Sequence, residues 1–124
     1  MRALLIVGFG GFLGSIARYK LGGWILHHTT AWKFPLSTFI VNVLGCLIAG
    51  ILAGLVEKHD FFSSSTRLFL FAGLLGGFTT FSAFGLETVY LLQKQELLLA
   101  AINVSSSVLV GMFVLWLSIK IISV

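Results

Sequence analysis

Two stretches of this chain, Phe34 to Val56 and Leu97 to Ile119, contain no charged side chain. Each is long enough, at about 20 residues, to cross the hydrocarbon of a bilayer as a helix. Two further stretches qualify once isolated charges are tolerated. One runs from Ala3 to about Leu26, with Arg18 and Lys20 in its later half. The other runs from Leu68 to about Leu92, with Glu87 near its end. Lipid offers no partner to a bare peptide group, so such segments must close their own hydrogen bonds as helices. The rest of the composition agrees. Only 10% of the 124 residues are charged, against about 25% in an ordinary soluble domain, and the mean hydropathy is +1.08. The chain reads as an all-α membrane protein, a single domain over residues 1–124 with four transmembrane helices.

Local signals fit those boundaries. Pro35 stands where a first helical turn tolerates it, and Ser63, Ser64, Ser65 and Thr66 offer caps for the third span. Trp24, Trp32, Tyr90 and Trp116 fall near span ends, where aromatic belts form. The net charge of +4 does not indicate nucleic acid, because the basic residues stand singly between apolar runs. Cys46 is the sole cysteine, so no disulfide forms within the chain, and a packing role is expected of it. His27, His28 and His59 read as interfacial loop residues, with no carboxylate or thiol to complete a metal site. Arg2 before an apolar run and Ser15-Ile16-Ala17 resemble a cleavable leader, but glycines interrupt the run and three more spans follow, so retention is expected. Gly10 and Gly14, Gly50 and Gly54, and Gly73 and Gly77 have the spacing that lets helix backbones approach closely in lipid.

The loop charges carry more information. Arg2, Lys58, Arg67 and Lys120 fall on one side of the membrane. Lys33 and Lys94 fall on the other, joined by Arg18 and Lys20 if these reach their nearer end. The balance is four against four, so the positive-inside rule selects no orientation. Insertion both ways, as an antiparallel dual-topology homodimer, is the expectation. Two copies would also enclose a polar path that four helices alone are too few to surround.

Polar residues inside the spans mark where such a path runs. Gly76-Gly77-Phe78-Thr79-Thr80-Phe81-Ser82-Ala83-Phe84 is a poor helix near mid-membrane. It reads either as a break, tolerable only inside protein or beside water or an ion, or as a kink whose hydroxyls bond the preceding turn. Asn42, deep in the second span, either joins helices or offers amide donors to an anion. Asn103 and Ser107 are four apart on one face of the fourth span, and Gly111 continues the row. Arg18 and Glu87 are the deepest charges, functional candidates by default unless they extend to an interface. No nucleophile set, carboxylate pair or phosphate loop is present, so no enzyme is expected.

Taken together these segments resemble the Fluc (CrcB) family of fluoride channels over essentially the whole chain. Gly10-Gly11-Phe12-Leu13-Gly14-Ser15-Ile16-Ala17-Arg18-Tyr19 resembles the family's first-span motif. Val41-Asn42-Val43-Leu44-Gly45 resembles its second, and Gly76 to Phe84 its third and most specific. The resemblance implies passive, fluoride-selective export that relieves fluoride toxicity, through a multi-pass protein of a bacterial inner or plasma membrane. It implies an antiparallel dimer with two fluoride pathways and a structural Na⁺ at its centre, held by backbone carbonyls at Gly76 and Thr79. Phe81 and Phe84 match the ring-bearing positions of the pathways, Asn42 the pore asparagine, and Asn103 and Ser107 the polar track. Arg18 and Glu87 match the family's charged positions, and Thr80 and Ser82 belong to the same signature. Ala83, Leu47 and Gly111 depart from the commoner Thr, Phe and hydroxyl residues there. The competing readings are a proton-coupled multidrug exporter and a non-transporting assembly subunit. The exporter needs a carboxylate in the first span, which this chain lacks. The assembly subunit would not need Asn42, Phe81, Phe84 and a broken third span together.

Overall fold

The structure, a computed structural model, describes residues 1–60 and 62–124. Helix α1 spans Arg2–His28 and α2 spans Leu36–His59. The third span is composite. A first α-helical turn, α3 (Ser64–Arg67), runs directly into a π-helical segment, Leu68–Leu75, and then into α4 (Gly76–Phe78). Two extended residues follow, and α5 (Phe81–Gln93) completes the crossing before α6 (Leu97–Ser123). Among the described residues, four helices are thus long and apolar enough to cross a membrane, the third being Ser64–Gln93 as a whole.

The helices run past the apolar stretches. The 27 residues of α1 make a rod of about 40 Å, longer than the ~30 Å hydrocarbon layer. A helical ladder needs no apolar side chain, so it continues through His27 and His28 and, in α2, through Glu57, Lys58 and His59. Left-handed residues stop it. Asp60, at φ 46°, closes α2, and Gln95, at φ 61°, turns the chain between α5 and α6. The hydroxyl of Ser63 opens the third span by accepting the Thr66 amide N–H at 3.2 Å.

The principal pairings are α1 against the first half of the third span and α2 against α6. The first is backbone against backbone. A Cβ on Gly10 would lie 2.7 Å from the Phe69 carbonyl oxygen and 3.0 Å from the Gly73 Cα. A Cβ on Gly77 would lie 2.5 Å from the Gly11 carbonyl oxygen. Within the segment Gly76 to Phe84, Gly76 and Gly77 are helical, and the break comes after them. Gly77 is there for close approach, the usual reason for small residues in membrane helices. No rotamer relieves a clash with backbone. Gly77→Ala is therefore expected to destabilise the fold by about 1–3 kcal/mol, read as a lowered thermal midpoint in detergent. Gly23→Ala, where a Cβ meets nothing within 4 Å, should leave the midpoint nearly unchanged; equal midpoints for both variants would refute the packing argument.

An ion pair closes each end. Lys33 Nζ lies 2.6 Å from Glu96 Oε1 and ties the α1–α2 loop to the start of α6. Arg67 pairs with Asp60 at the opposite end. The hydrogen bond to Glu96, with its charge, raises the Lys33 ammonium pKa above its ordinary value. Exposed pairs of this kind contribute little to stability. Their value here is in registering the loops.

Candidate functional site

The break in the third span is made by two threonines. Thr79 donates both its N–H and its hydroxyl to the Leu75 carbonyl, at 2.9 and 3.0 Å. Its own backbone is extended, at φ −86° and ψ 158°. Thr80 follows at φ −149° and ψ 123° and caps α5, its hydroxyl accepting the Ala83 N–H at 3.2 Å. β-Branched residues favour extended backbone, and the threonine oxygen supplies the cap that α5 needs.

Asn42 of α2 holds the break open. Its Oδ1 accepts the Thr80 N–H at 2.9 Å, and its Nδ2 donates to the Thr80 carbonyl at 2.9 Å. One side-chain amide thus serves both polar groups of one residue. The consequence lies in the ladder. In an unbroken helix the Thr80 N–H would bond the Gly76 carbonyl, and the Ala83 N–H would bond that of Thr79. Both N–H groups are engaged elsewhere. The carbonyls of Gly76 and Thr79 are thereby released, at a depth where lipid cannot satisfy them, and Gly76 is exposed on the single chain.

Beside the break lies a cavity of about 400 Å³, into which Asn42, Thr79, Thr80, Phe81, Phe84 and Ser107 converge, with Cys46, Leu75 and Leu115 on the apolar wall. The Phe81 and Phe84 ring centroids are 5.7 Å apart. Phe81 is 83% exposed, whereas Phe84 is half-buried. An amide has two N–H donors, so Asn42 keeps one after bonding Thr80. Hydroxyls, a spare amide N–H and aromatic rings, whose edges carry positive potential, together suit a small anion.

The other sequence candidates lie apart from this cavity. Asn103, expected beside Ser107 on a polar stripe, is 1% exposed and donates from Nδ2 to the Thr88 hydroxyl at 2.9 Å. Four residues advance a helix about 40° beyond one full turn. That rotation is enough for Ser107 to reach the cavity while Asn103 faces α5. Gly111 is buried, and a Cβ there would meet Cys46 Sγ at 3.3 Å. Ser82 is exposed, its hydroxyl 3.4 Å from that of Thr80. Glu87 accepts from the Thr38 hydroxyl at Oε1, 2.7 Å away, while its Oε2 is buried with no hydrogen-bond partner among the described residues. It lines a separate cavity of about 140 Å³ with Lys33, Pro35, Tyr90 and Lys94. Arg18 lines a third, of about 420 Å³, with Ser15, Tyr19, Gly22 and Ser37. Thr38 and Thr88 were missed from sequence, although a hydroxyl one turn from Asn42 or next to Glu87 is a usable signal.

Four crossings, one of them interrupted at mid-depth and bound to a neighbour by a side-chain amide, define a multi-pass integral membrane protein. Residues 5–119 match the family described as CrcB-like protein, Camphor Resistance (CrcB), and the chain belongs to that family. It is 48% identical over 122 residues to the fluoride-specific ion channel FluC of Methylobacillus flagellatus, covering 98% of this chain and 95% of the relative. It is 42% identical over 117 residues to the fluoride-specific ion channel FluC 3 of Methanosarcina barkeri, covering 94% and 87%. To the FluC of Flavobacterium psychrophilum it is 39% identical over 116 residues, covering 94% and 93%.

Proposed function

We propose that this chain is a fluoride-selective passive channel, working as an antiparallel dual-topology homodimer. The observation that carries the reading is the break at Thr79 and Thr80, held by Asn42 and opening on the cavity that Phe81, Phe84 and Ser107 share. The names of the relatives supply the ion. Fluoride is small and strongly hydrated, so a path must replace its water with donors and still let it go. The Ser107 hydroxyl and the spare N–H of Asn42 are directional donors. The ring edges of Phe81 and Phe84 attract more weakly, so the ion is not trapped. The proton-coupled exporter is disfavoured by α1, whose deep charge is Arg18 and which holds no carboxylate.

Dimerisation follows from the released carbonyls. The Gly76 and Thr79 carbonyls lack their helical partners near mid-span, where only protein, water or an ion can serve them, and Gly76 is exposed on one side of the single chain. A second copy, inverted, covers that side and brings its own pair. Four carbonyl oxygens are the donor type a hard cation takes, so Gly76 and Thr79 fit the Na⁺ that the family resemblance implies. When bound, the ion supplies fixed positive charge near the anion's route, where low dielectric strengthens attraction. Held by carbonyls of both subunits, it would stabilise their union by mass action.

The test is an efflux assay on purified protein in liposomes. Fluoride should leave once a K⁺ ionophore balances charge, and chloride should be largely retained. Equal release of both anions, or fluoride release that needs a proton gradient, would overturn the reading.

A further inference from the structure

Two residues outside the cavity, Asn103 of α6 and Thr88 of α5, are hydrogen-bonded to each other. Asn103, with Val41, is among the most enclosed side chains of the chain. Its Nδ2 donates to Thr88 Oγ1 at 2.9 Å, and that hydroxyl donates to the Phe84 carbonyl at 2.8 Å. On α5, Phe84 comes four residues before Thr88. On α6, Ser107 comes four residues after Asn103. The two helices are consecutive and joined by a short turn, so they run antiparallel. The Asn103–Thr88 bond is therefore a cross-link lying one helical turn, about 6 Å, from the level at which Phe84 and Ser107 line the cavity from opposite helices.

We propose that Asn103 and Thr88 are positioning residues: they fix the Phe84 ring and its distance from Ser107 through a two-step hydrogen-bond relay from α6 into the α5 backbone. The inference rests on the reading that ions pass between those side chains. Phe84 lies in the first turn of α5, which is joined to α4 only through the extended residues Thr79 and Thr80, so the start of this helix has little support from the rest of its own span. A threonine bonded to its own helix can rotate its hydroxyl at small cost. The Asn103 amide, donating to the same oxygen, removes that freedom and polarises the bond to Phe84. Neither group needs to touch the ion.

The experiment compares Thr88→Val, nearly isosteric but without the hydroxyl, with Thr88→Ser, which keeps it, and with Asn103→Leu. Loss of one buried neutral hydrogen bond corresponds to roughly a fivefold change. Thr88→Val should lower fluoride flux by about that factor and also lower the fluoride-to-chloride ratio, while Thr88→Ser restores both. The double variant Thr88→Val with Asn103→Leu should be no worse than the poorer single one, because both remove the same relay. Should Asn103→Leu fail to assemble, the Thr88 pair decides alone. A second readout is independent of conduction: ring-flip rates of isotopically labelled Phe84 by NMR should rise in Thr88→Val and return to the wild-type rate in Thr88→Ser. Unchanged flux ratio and ring dynamics in Thr88→Val, or equal losses in Thr88→Val and Thr88→Ser, would overturn the inference. If the wild type fails to conduct fluoride, the proposed function falls, and the ring-flip comparison still decides this point.

Discussion

Phe81→Ile and Phe84→Ile are each expected to reduce fluoride flux in liposomes by about ten- to a hundredfold, taking a contact to a charged group as roughly 1.5–3 kcal/mol. Isoleucine keeps apolar bulk and removes the aromatic edge. The two sites are not equivalent on the single chain. Phe81 is 83% exposed, so its replacement removes little packing within the subunit beyond the contact with the Phe84 ring, and a flux loss there reports on the ring itself. Phe84 is half-buried, so its variant must also be shown to assemble as a dimer. Leu109→Ala is the control, an exposed residue of α6 outside the cavity lining, and should conduct nearly normally. Cells lacking other fluoride export should grow in fluoride with the control and fail with either phenylalanine variant. Normal flux in both variants would exclude the rings from the pathway.

The second large effect concerns orientation. Thr30→Lys with Ala31→Lys adds positive charge to the α1–α2 loop, and Glu57→Lys with Ser64→Lys adds it at the opposite end. Each pair should bias insertion one way. If function requires two opposed copies, either locked chain alone should show essentially no fluoride efflux, and co-expression should restore it. Substantial efflux from one locked chain alone would rule out the antiparallel dimer. The four positions are exposed, and neither Lys33–Glu96 nor Asp60–Arg67 is altered.

The four spans were legible because lipid imposes one requirement, continuous apolar length, and hydropathy measures it directly. Their ends were less so. Glu57, Lys58 and His59 are polar yet helical, because a backbone ladder does not depend on side-chain solvation. The break was legible in place but not in cause. The sequence marked the whole segment Gly76 to Phe84 as poor helix; within it Gly76 and Gly77 stay helical, Gly77 packed against Gly11, and Thr79 and Thr80 carry the extension. The role of Asn42 was open between helix joining and anion donation, and its geometry shows the first directly while leaving a donor for the second. Asn103 shows the limit of spacing. Four residues place two side chains on roughly the same face, but which neighbour each meets depends on the angle of α5. Nothing in Leu68 to Leu75 foretold a π-helical ladder, since eight apolar residues fit either winding.

The pairing of helices has a mechanical consequence. α1 with the first half of the third span, and α2 with α6, are each closely packed through glycines. Asn42 belongs to one pair, and Thr80 lies just past the half-helix of the other, which ends at Phe78, so their two hydrogen bonds lie on the seam. A bilayer thinner or thicker than the hydrophobic length is accommodated by tilt, and close packing within each pair favours their tilting as units. If they do, the adjustment falls on the contacts between the pairs, which are the two Asn42–Thr80 bonds and, nearer one end, the Ser37 hydroxyl on the Gly22 carbonyl.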